Sequence, residues 1–406
     1  MNMKVLVTGG AGYIGSHTVR QLGEAGYEII VYDNLSTSSS ASVLYGELVV
    51  GDLKDVDRLH QTFEQHRFDA VLHFAASISV PESIANPLQY YTNNTQNTLN
   101  LLRCCSTFSV NQFVFSSTAA VYGEPQDNPV RESSPTQPIN PYGCSKLMSE
   151  QIIQDYSLAS GMNYVILRYF NVAGADPKGR IGQINRQAEH LVKIACDAAL
   201  GRRPAAKIFG TDFPTMDGTG VRDFIHVEDL AAAHIDALRY LESGGESQTF
   251  NCGYGQGYSV RQVLNRMKAI SGIDFPVIEV DRRAGDPASV IACGDRIRQI
   301  LGWQPKYNDL DIILNTALAW EKRLIALTAL TDTLDSQDYR LGTLLLRHRN
   351  LISKTDLENA LTEQASSAEK LGEILLQKSL ISLEMLQDVL VEQRWRQHAN
   401  VLPKVS

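Results

Sequence analysis

The chain has no CxxC pair, no His/Cys cluster at metal-ligand spacing and no apolar run long enough to cross a bilayer. Its six cysteines, Cys104, Cys105, Cys144, Cys196, Cys252 and Cys293, are scattered. That scatter argues against a disulfide framework or a bound metal and predicts reduced, mostly buried thiols. Positive charge is scarce as well: 37 Lys and Arg stand against 45 Asp and Glu, a net charge of -8. Nucleic-acid binding needs a surplus of cations and is disfavoured, although a local basic pocket for a diphosphate is not. The first strand is expected from Met3, which leaves no room for a signal peptide, so a cytoplasmic protein without a membrane span is expected. What the chain does have is ordinary globular composition, 44% hydrophobic and 20% charged, over 406 residues, enough for two or three domains.

Short apolar runs alternate with helical patterns through the first part. Lys4 to Thr8, Glu28 to Asp33, Leu48 to Val50, Ala70 to Phe74, Phe113 to Ser116 and Tyr164 to Arg168 read as strands, and Gly12 to Ala25 as the first helix. Strands separated by helices imply a parallel, doubly wound α/β sheet, because parallel neighbours need crossover connections. Beyond about residue 175 Gly, Pro and Asp become frequent, as expected for a smaller lobe. The expected division is 1–327, with a nucleotide-binding core mainly in 1–175 and an interleaved lobe mainly in 176–327, then a polar linker at 328–338 and a helical domain at 339–400.

Thr8 to Gly15 (TGGAGYIG) joins the first strand to the first helix. Glycines there let the backbone turn tightly and approach a pyrophosphate, which the helix N-terminus then meets with free N–H groups. Asp33 ends the second strand, placed to accept from ribose hydroxyls; a carboxylate there repels a 2′-phosphate and favours NAD over NADP. Asp52, after the third strand, reads either as an adenine neighbour or as a helix cap. Tyr142 and Lys146 are four residues apart at the start of a helix and so share a face. A nearby ammonium stabilises a phenolate and is expected to lower the Tyr142 pKa from about 10. Tyr142 would then accept a proton from a sugar hydroxyl, with Thr118 as hydrogen-bond partner.

Glycine loop, Ser/Thr strand end and YxxxK, in this order, resemble the extended short-chain dehydrogenase/reductase superfamily, which has a Rossmann-type sheet. Within it the chain is most similar to the UDP-glucose/UDP-galactose 4-epimerases. TGGAGYIGSHT (8–18), HFAAS (73–77), FSSTAAVYGEP (115–125), PYGCSK (141–146), RYFNVAGADP (168–177), the 208–231 segment and RRAGDPAS (282–289) carry this over about residues 1–325. The resemblance implies inversion of C4′ of a UDP-hexose through a transient 4-keto sugar, with NAD kept bound and the enzyme a homodimer. It implies cofactor contacts from Gly9, Gly12, Tyr13, Ile14, Gly15, Asp33, Asn34, Asp52, Phe74, Ala75, Asn93, Tyr142, Lys146 and Tyr169. Catalysis falls to Tyr142, Lys146 and Thr118. Substrate contacts fall to Thr118, Tyr142, Asn171, Arg222, Arg283 and Asp286, with Phe170 lining the site. Asn93 reads equally as a helix cap, and Arg222 and Arg283 also read as surface ion pairs.

Some residues depart from the family pattern. Ile78 stands where a lysine often contacts the cofactor, and 182–190 differs from the usual substrate-proximal stretch. Val290 replaces a bulkier residue near the sugar C2 group, which implies tolerance of N-acetylated UDP-hexosamines. Ala119 and Ala120 replace the acidic pair of sugar-nucleotide 4,6-dehydratases; a UDP-sugar decarboxylase is an alternative within the superfamily.

The C-terminal part repeats itself. Arg340-Leu-Gly-Thr-Leu-Leu returns about thirty residues later as Lys370-Leu-Gly-Glu-Ile-Leu. Leu341/Leu371, Leu345/Leu375, Leu357/Leu386 and Leu361/Leu390 fall at helical spacing, and Ser353 and Ser382 read as N-caps of second helices. Two helical hairpins in an all-α four-helix module are expected. The repeat is similar to the MshEN-type N-terminal domain of type II secretion and type IV pilus ATPases, some of which bind cyclic di-GMP. That likeness implies dinucleotide contacts from Arg340, Leu341, Gly342, Leu371 and Gly372, the glycines permitting backbone approach. The alternative is a leucine-packed docking or dimerisation module, or a signal-reading protein whose epimerase turnover is secondary.

Overall fold

Successive side chains along a strand go to opposite faces of a sheet, and this sequence loads both faces with apolar residues. The computed structural model describes residues 3–185, 188–283, 286–329, 340–348, 351–367 and 369–397. Seven strands, β1 (Lys4–Thr8), β2 (Glu28–Asp33), β3 (Glu47–Val50), β4 (Ala70–His73), β5 (Gln112–Ser116), β6 (Asn163–Tyr169) and β10 (Gln248–Cys252), form one sheet in the order β10-β6-β5-β4-β1-β2-β3. Every pairing in it is parallel. Val5, Val7, Val31, Leu72, Val114 and Leu167 pack into one core. Their neighbours Leu6, Ile30, Val71, Phe113 and Ile166 pack into the other. A parallel sheet covered on both faces explains the near-continuous Val/Ile/Leu runs. It also sends the carboxyl ends of all seven strands to one edge, where open α/β sheets bind ligands.

β10 had no distinct signal in the sequence. It lies beyond residue 175, yet it returns to the edge of the first sheet beside β6. The rest of the lobe is built from a small sheet of β7 (Asn171–Ala173), β9 (Val221–His226), β11 (Gly257–Ser259) and β13 (Ser289–Val290), and from β8 (Ala206–Phe209) paired with β12 (Val277–Val280). Helix Tyr13–Glu24 is joined to helix Val227–Glu242 by a buried polar cluster. Glu228 meets His17 Nδ1 at 2.5 Å, Gln21 Nε2 at 2.7 Å and the Arg20 guanidinium.

By their contacts the residues fall into two units, Met1–Glu321 and Lys322–Ser406. The linker expected from Thr328 starts too early, because Thr328 and Ala329 continue helix Leu310–Ala329; the remainder, 330–338, lies outside the described residues. In the second unit a single α-turn, Leu341–Thr343, runs into a π-helical turn, Leu344–His348. Helices Lys354–Ser366, Leu371–Gln377 and Leu383–Gln397 complete two hairpins. Ser353 caps the first of these by accepting from Asp356 N, and Ser382 accepts from Met385 N. Leu345, Leu357, Leu371, Leu375 and Leu386 are core residues as expected. Leu361 and Leu390 are not: they are 45% and 42% exposed, and the preceding residues Ala360 and Val389 are fully buried instead. One position is a 100° rotation on a helix, enough to exchange a core face for a solvent face.

The Glu228 cluster yields a prediction. Burial opposes ionisation of Glu228, but attraction to His17 and Arg20 and the hydrogen bonds from His17 and Gln21 outweigh it and hold the carboxyl at about 2. Because this value is depressed, the stabilisation is complete above the ordinary glutamate range near 4.5 and is lost as pH falls toward 2. Glu228→Ala takes one of two carboxylate partners from the buried Arg20 guanidinium, leaving it the half-exposed Glu24, and is expected to cost about 3 kcal/mol. Denaturant melts at pH 7 should show that loss, and the gap between variant and parent should narrow below pH 4.5.

Candidate active site

One cavity of about 830 Å³ opens along the carboxyl edge of the sheet. At one end is the turn after β1. Gly9 has φ +70, and a Cβ there would stand 2.6 Å from Ala75 N; a Cβ on Gly15 would stand 2.2 Å from Gly9 O. Only glycine permits this approach of backbone to backbone. Gly12 caps helix Tyr13–Glu24 without a side-chain bond, so the helix N-terminus is left to the cavity. The Asp33 carboxylate accepts from Ala11 N at 3.0 Å, Leu35 N at 2.9 Å and Ser38 Oγ at 2.8 Å, which fixes it at the cavity wall. Gly9, Gly12, Tyr13, Ile14, Gly15, Asp33, Asn34, Asp52, Phe74, Ala75 and Asn93 all line this space. The cap of helix Val56–His66 is Asp55, not Asp52; Asp52 instead accepts from Asn34 Nδ2 and Lys54 N, both at 3.0 Å. The capping alternative for Asn93 is likewise overturned. It lies inside a π-helical turn, Tyr91–Gln96, and donates to Ser77 Oγ at 2.9 Å.

Tyr142 and Lys146 follow the start of helix Pro141–Ser160, which Asn140 caps by accepting from Gly143 N at 2.9 Å, with Pro141 at the first helical position. Tyr142, Thr118, Tyr169, Phe170 and Asn171 line the middle of the cavity. Lys146 does not line it. Its Nζ donates to Ser116 O at 2.8 Å and sits 4.6 Å from the centre of the Phe115 ring. The expected lowering of the Tyr142 pKa is corrected by the polypeptide itself: burial raises it, and a hydrogen bond from Thr118 is the opposing influence. Burial lowers Lys146 to about 7 against the pull of Glu150. Burial pushes Tyr169 up too, and its phenol accepts from Ser116 Oγ at 3.1 Å.

Arg222, Arg283, Asp286 and Val290 line the far end. Arg222 and Asp286 form an ion pair with each other at 2.6 Å, so the ion-pair reading of Arg222 holds inside the cavity rather than on the surface. The Arg283 guanidinium carbon lies over the Phe209 ring, 3.7 Å from its centre. Ile78 is on the wall, 47% exposed. Gln183 and His190 also line the cavity, and sequence reasoning singled out neither. Their signal was the stretch 182–190 as a whole, which the resemblance placed near the substrate. Burial holds the His190 imidazole below its usual range.

Residues 5–253 match the NAD dependent epimerase/dehydratase family. The chain belongs to that family. It is 53% identical over 322 residues to the UDP-glucose 4-epimerase of Azospirillum brasilense, covering 79% of this chain and 92% of that one. Among solved structures, the UDP-glucose 4-epimerase of Brucella ovis in complex with NAD is 43% identical with a TM-score of 0.77, over 79% of this chain and 98% of the other. The UDP-Glc/GlcNAc 4-epimerase of Campylobacter jejuni is 50% identical with a TM-score of 0.71, over 79% of this chain and all of that one (100%).

The family is NAD-dependent, and the glycine turn, the open helix N-terminus and the fixed Asp33 fit a dinucleotide. Gly9→Ala would force positive φ on alanine, at about 1–2 kcal/mol, and drive its Cβ into Ala75 N. Nucleotide released by acid from the purified variant is expected to fall at least tenfold per chain relative to the parent.

Proposed function

We propose that the chain is a UDP-hexose 4-epimerase, inverting C4′ of UDP-glucose and UDP-galactose with bound NAD. The observation that carries this is the continuity of one cavity: the glycine turn and Asp33 at one end, Arg222 and Arg283 at the other, Tyr142 and Thr118 between. Bound NAD supplies a hydride acceptor that later returns the hydride, and a positive ring near the phenol. The polypeptide does the rest. Tyr142 accepts the proton of the 4′-hydroxyl, while Thr118 donates to the phenolate oxygen and stabilises it. Lys146, one helical turn from Tyr142 and bonded to the Ser116 carbonyl, contributes positive charge without lining the cavity. Arg222 and Arg283 hold the diphosphate, Asn171 bonds the sugar and Asp286 the uridine ribose. Anchored at its phosphates, the 4-keto sugar turns and presents its other face, and Tyr142 returns the proton.

Purified protein given UDP-galactose and no added NAD should form UDP-glucose. Tyr142→Phe should lower kcat by about 10²–10⁴ while leaving bound nucleotide unchanged. Carbon dioxide from UDP-glucuronate, without epimerisation, would replace this reading with a decarboxylase.

Two finer readings follow. Val290 lies on the cavity wall beside Arg222, its register partner, and its small side chain leaves room for an N-acetyl group. Turnover of UDP-GlcNAc is expected, and Val290→Tyr should lower it at least tenfold with UDP-glucose turnover kept. The second unit is proposed to regulate turnover, and the whole enzyme to be a homodimer. Arg340 and Lys370 support a dinucleotide ligand: both are exposed N-caps of the first helix of a repeat. The glycines do not, because a Cβ on Gly342 would meet Leu357 at 2.9 Å and one on Gly372 would meet Leu386 at 3.0 Å. Helix packing alone accounts for Gly342 and Gly372. Calorimetry of the full chain with cyclic di-GMP, beside turnover with and without it, decides between a ligand-sensing and a docking role.

A further inference from the structure

The proposed chemistry uses Tyr142 and Lys146 and leaves the next turn of their helix without a role. Glu150 lies four residues past Lys146 and eight past Tyr142, so the three share one face of helix Pro141–Ser160. It is 1% exposed. Its Oε1 accepts from the Ser117 hydroxyl. Arg168, on β6, grips the same carboxylate, with Nε at 3.1 and 3.2 Å from its two oxygens and a terminal nitrogen at 2.6 Å from Oε2. Arg168 is held in turn by Tyr122 Oη, to which it donates at 3.0 Å, and that phenol donates to Asn251 Oδ1 at 2.7 Å.

One turn earlier, Lys146 holds the Ser116 carbonyl. Consecutive turns of the helix therefore grip consecutive residues of the chain leaving β5, Lys146 on Ser116 and Glu150 on Ser117. The next residue, Thr118, is thereby delivered to Tyr142. A neutral side chain could hold Ser117; the charge pairs with Arg168 on one side and lies one helical turn from Lys146 on the other. The groups around Lys146 show what that charge faces. His73 on β4 is kept neutral, at about 3, by burial and by Lys146 itself. β5 offers the Phe115 ring and the Ser116 carbonyl. β6 brings Tyr169 and the cation Arg168. The π-helical turn brings Asn94 and Thr95, bonded to Ser145 of the same helix and uncharged. In this set Glu150 is the anion, and it opposes the burial that drives Lys146 toward neutrality.

We propose that Glu150 is a positioning residue for the reaction: its carboxylate locks Ser117, and through it Thr118, against Tyr142, and sets a buried negative charge one helical turn from Lys146. Only the turnover arm of this proposal rests on the 4-epimerase reading. The full-length chain carrying ¹³C-labelled lysine is titrated by NMR, with Lys146→Arg assigning the resonance. The parent midpoint near 7 should fall by about one unit in Glu150→Gln, which removes the charge and keeps the shape. Glu150→Asp keeps the charge but shortens the reach. It should hold the midpoint and lower kcat about tenfold at unchanged KM. A midpoint unmoved in Glu150→Gln, with only a lower melting temperature, assigns the carboxylate a structural role and overturns the proposal. If Glu150→Gln does not fold, Glu150→Asp decides: parental kcat overturns the proposal and a tenfold loss supports it. A parent chain that does not epimerise sinks the functional reading alone, since the NMR midpoints still judge Glu150.

Discussion

Lys146 is 3% exposed at the carboxyl edge of a parallel sheet, and an ammonium in that position has to be satisfied or discharged. The structure meets this demand from three sides: the Ser116 carbonyl, the face of Phe115 and the Glu150–Arg168 pair. Those partners fix the register of the helix. Asn140 and Pro141 start it where Tyr142, Lys146 and Glu150 form one stripe, and a slip of one residue would turn the stripe by 100° away from the strand end. Tyr142 thus enters the cavity from a helix held to the strand end by Lys146 one turn on and by Glu150 two turns on.

What could be read in the sequence was what chemistry writes locally. The glycine turn is legible because a φ of +70 and a 2.6 Å approach admit no other residue, and YxxxK because helical spacing alone puts the pair on one face. Asp33 was legible from the end of its strand. The rest depends on long-range pairing. Arg222 meets Asp286 across 64 positions, and no local pattern announces that a proposed phosphate ligand is already paired. Nor does YxxxK spacing predict that burial outweighs the Thr118 hydrogen bond, which is why the Tyr142 pKa was expected low and is raised. The π-helical turn that bridges Ser77 to the catalytic helix through Asn94 is a backbone irregularity without a sequence signature.

The second unit shows the same divide on a smaller scale. Its period was plain, but period fixes a face only to within one residue, and Ala360 and Val389 took the core places that the more hydrophobic Leu361 and Leu390 suggested. Its two glycines were read for backbone approach to a ligand. A glycine that lets a ligand in and a glycine that lets a helix in are the same letter, and here Leu357 and Leu386 occupy the space. Ser379, with φ 55, does what glycine does elsewhere at such bends, at the cost of a strained backbone.

The two ends of the cavity are prepared in opposite ways, and the difference suits the proposed reaction. The dinucleotide end is built close to the backbone: a helix N-terminus, a glycine turn and a carboxylate held by two backbone N–H groups and a serine hydroxyl. The far end consists of long cations that would be free to wander. They are not left free. Arg222 is fixed by Asp286 and by the Val221 carbonyl at 2.9 Å, and Arg283 by stacking on Phe209. Ordering a side chain before a ligand arrives removes that entropy from the binding step. Sharing Arg222 with Asp286 also tempers the pull on a diphosphate. In the proposed reaction a sugar that leaves one face of a nicotinamide, turns and returns needs an anchor that neither reorganises nor grips the turning ring, and two arginines already ordered by Asp286 and Phe209 fit that role.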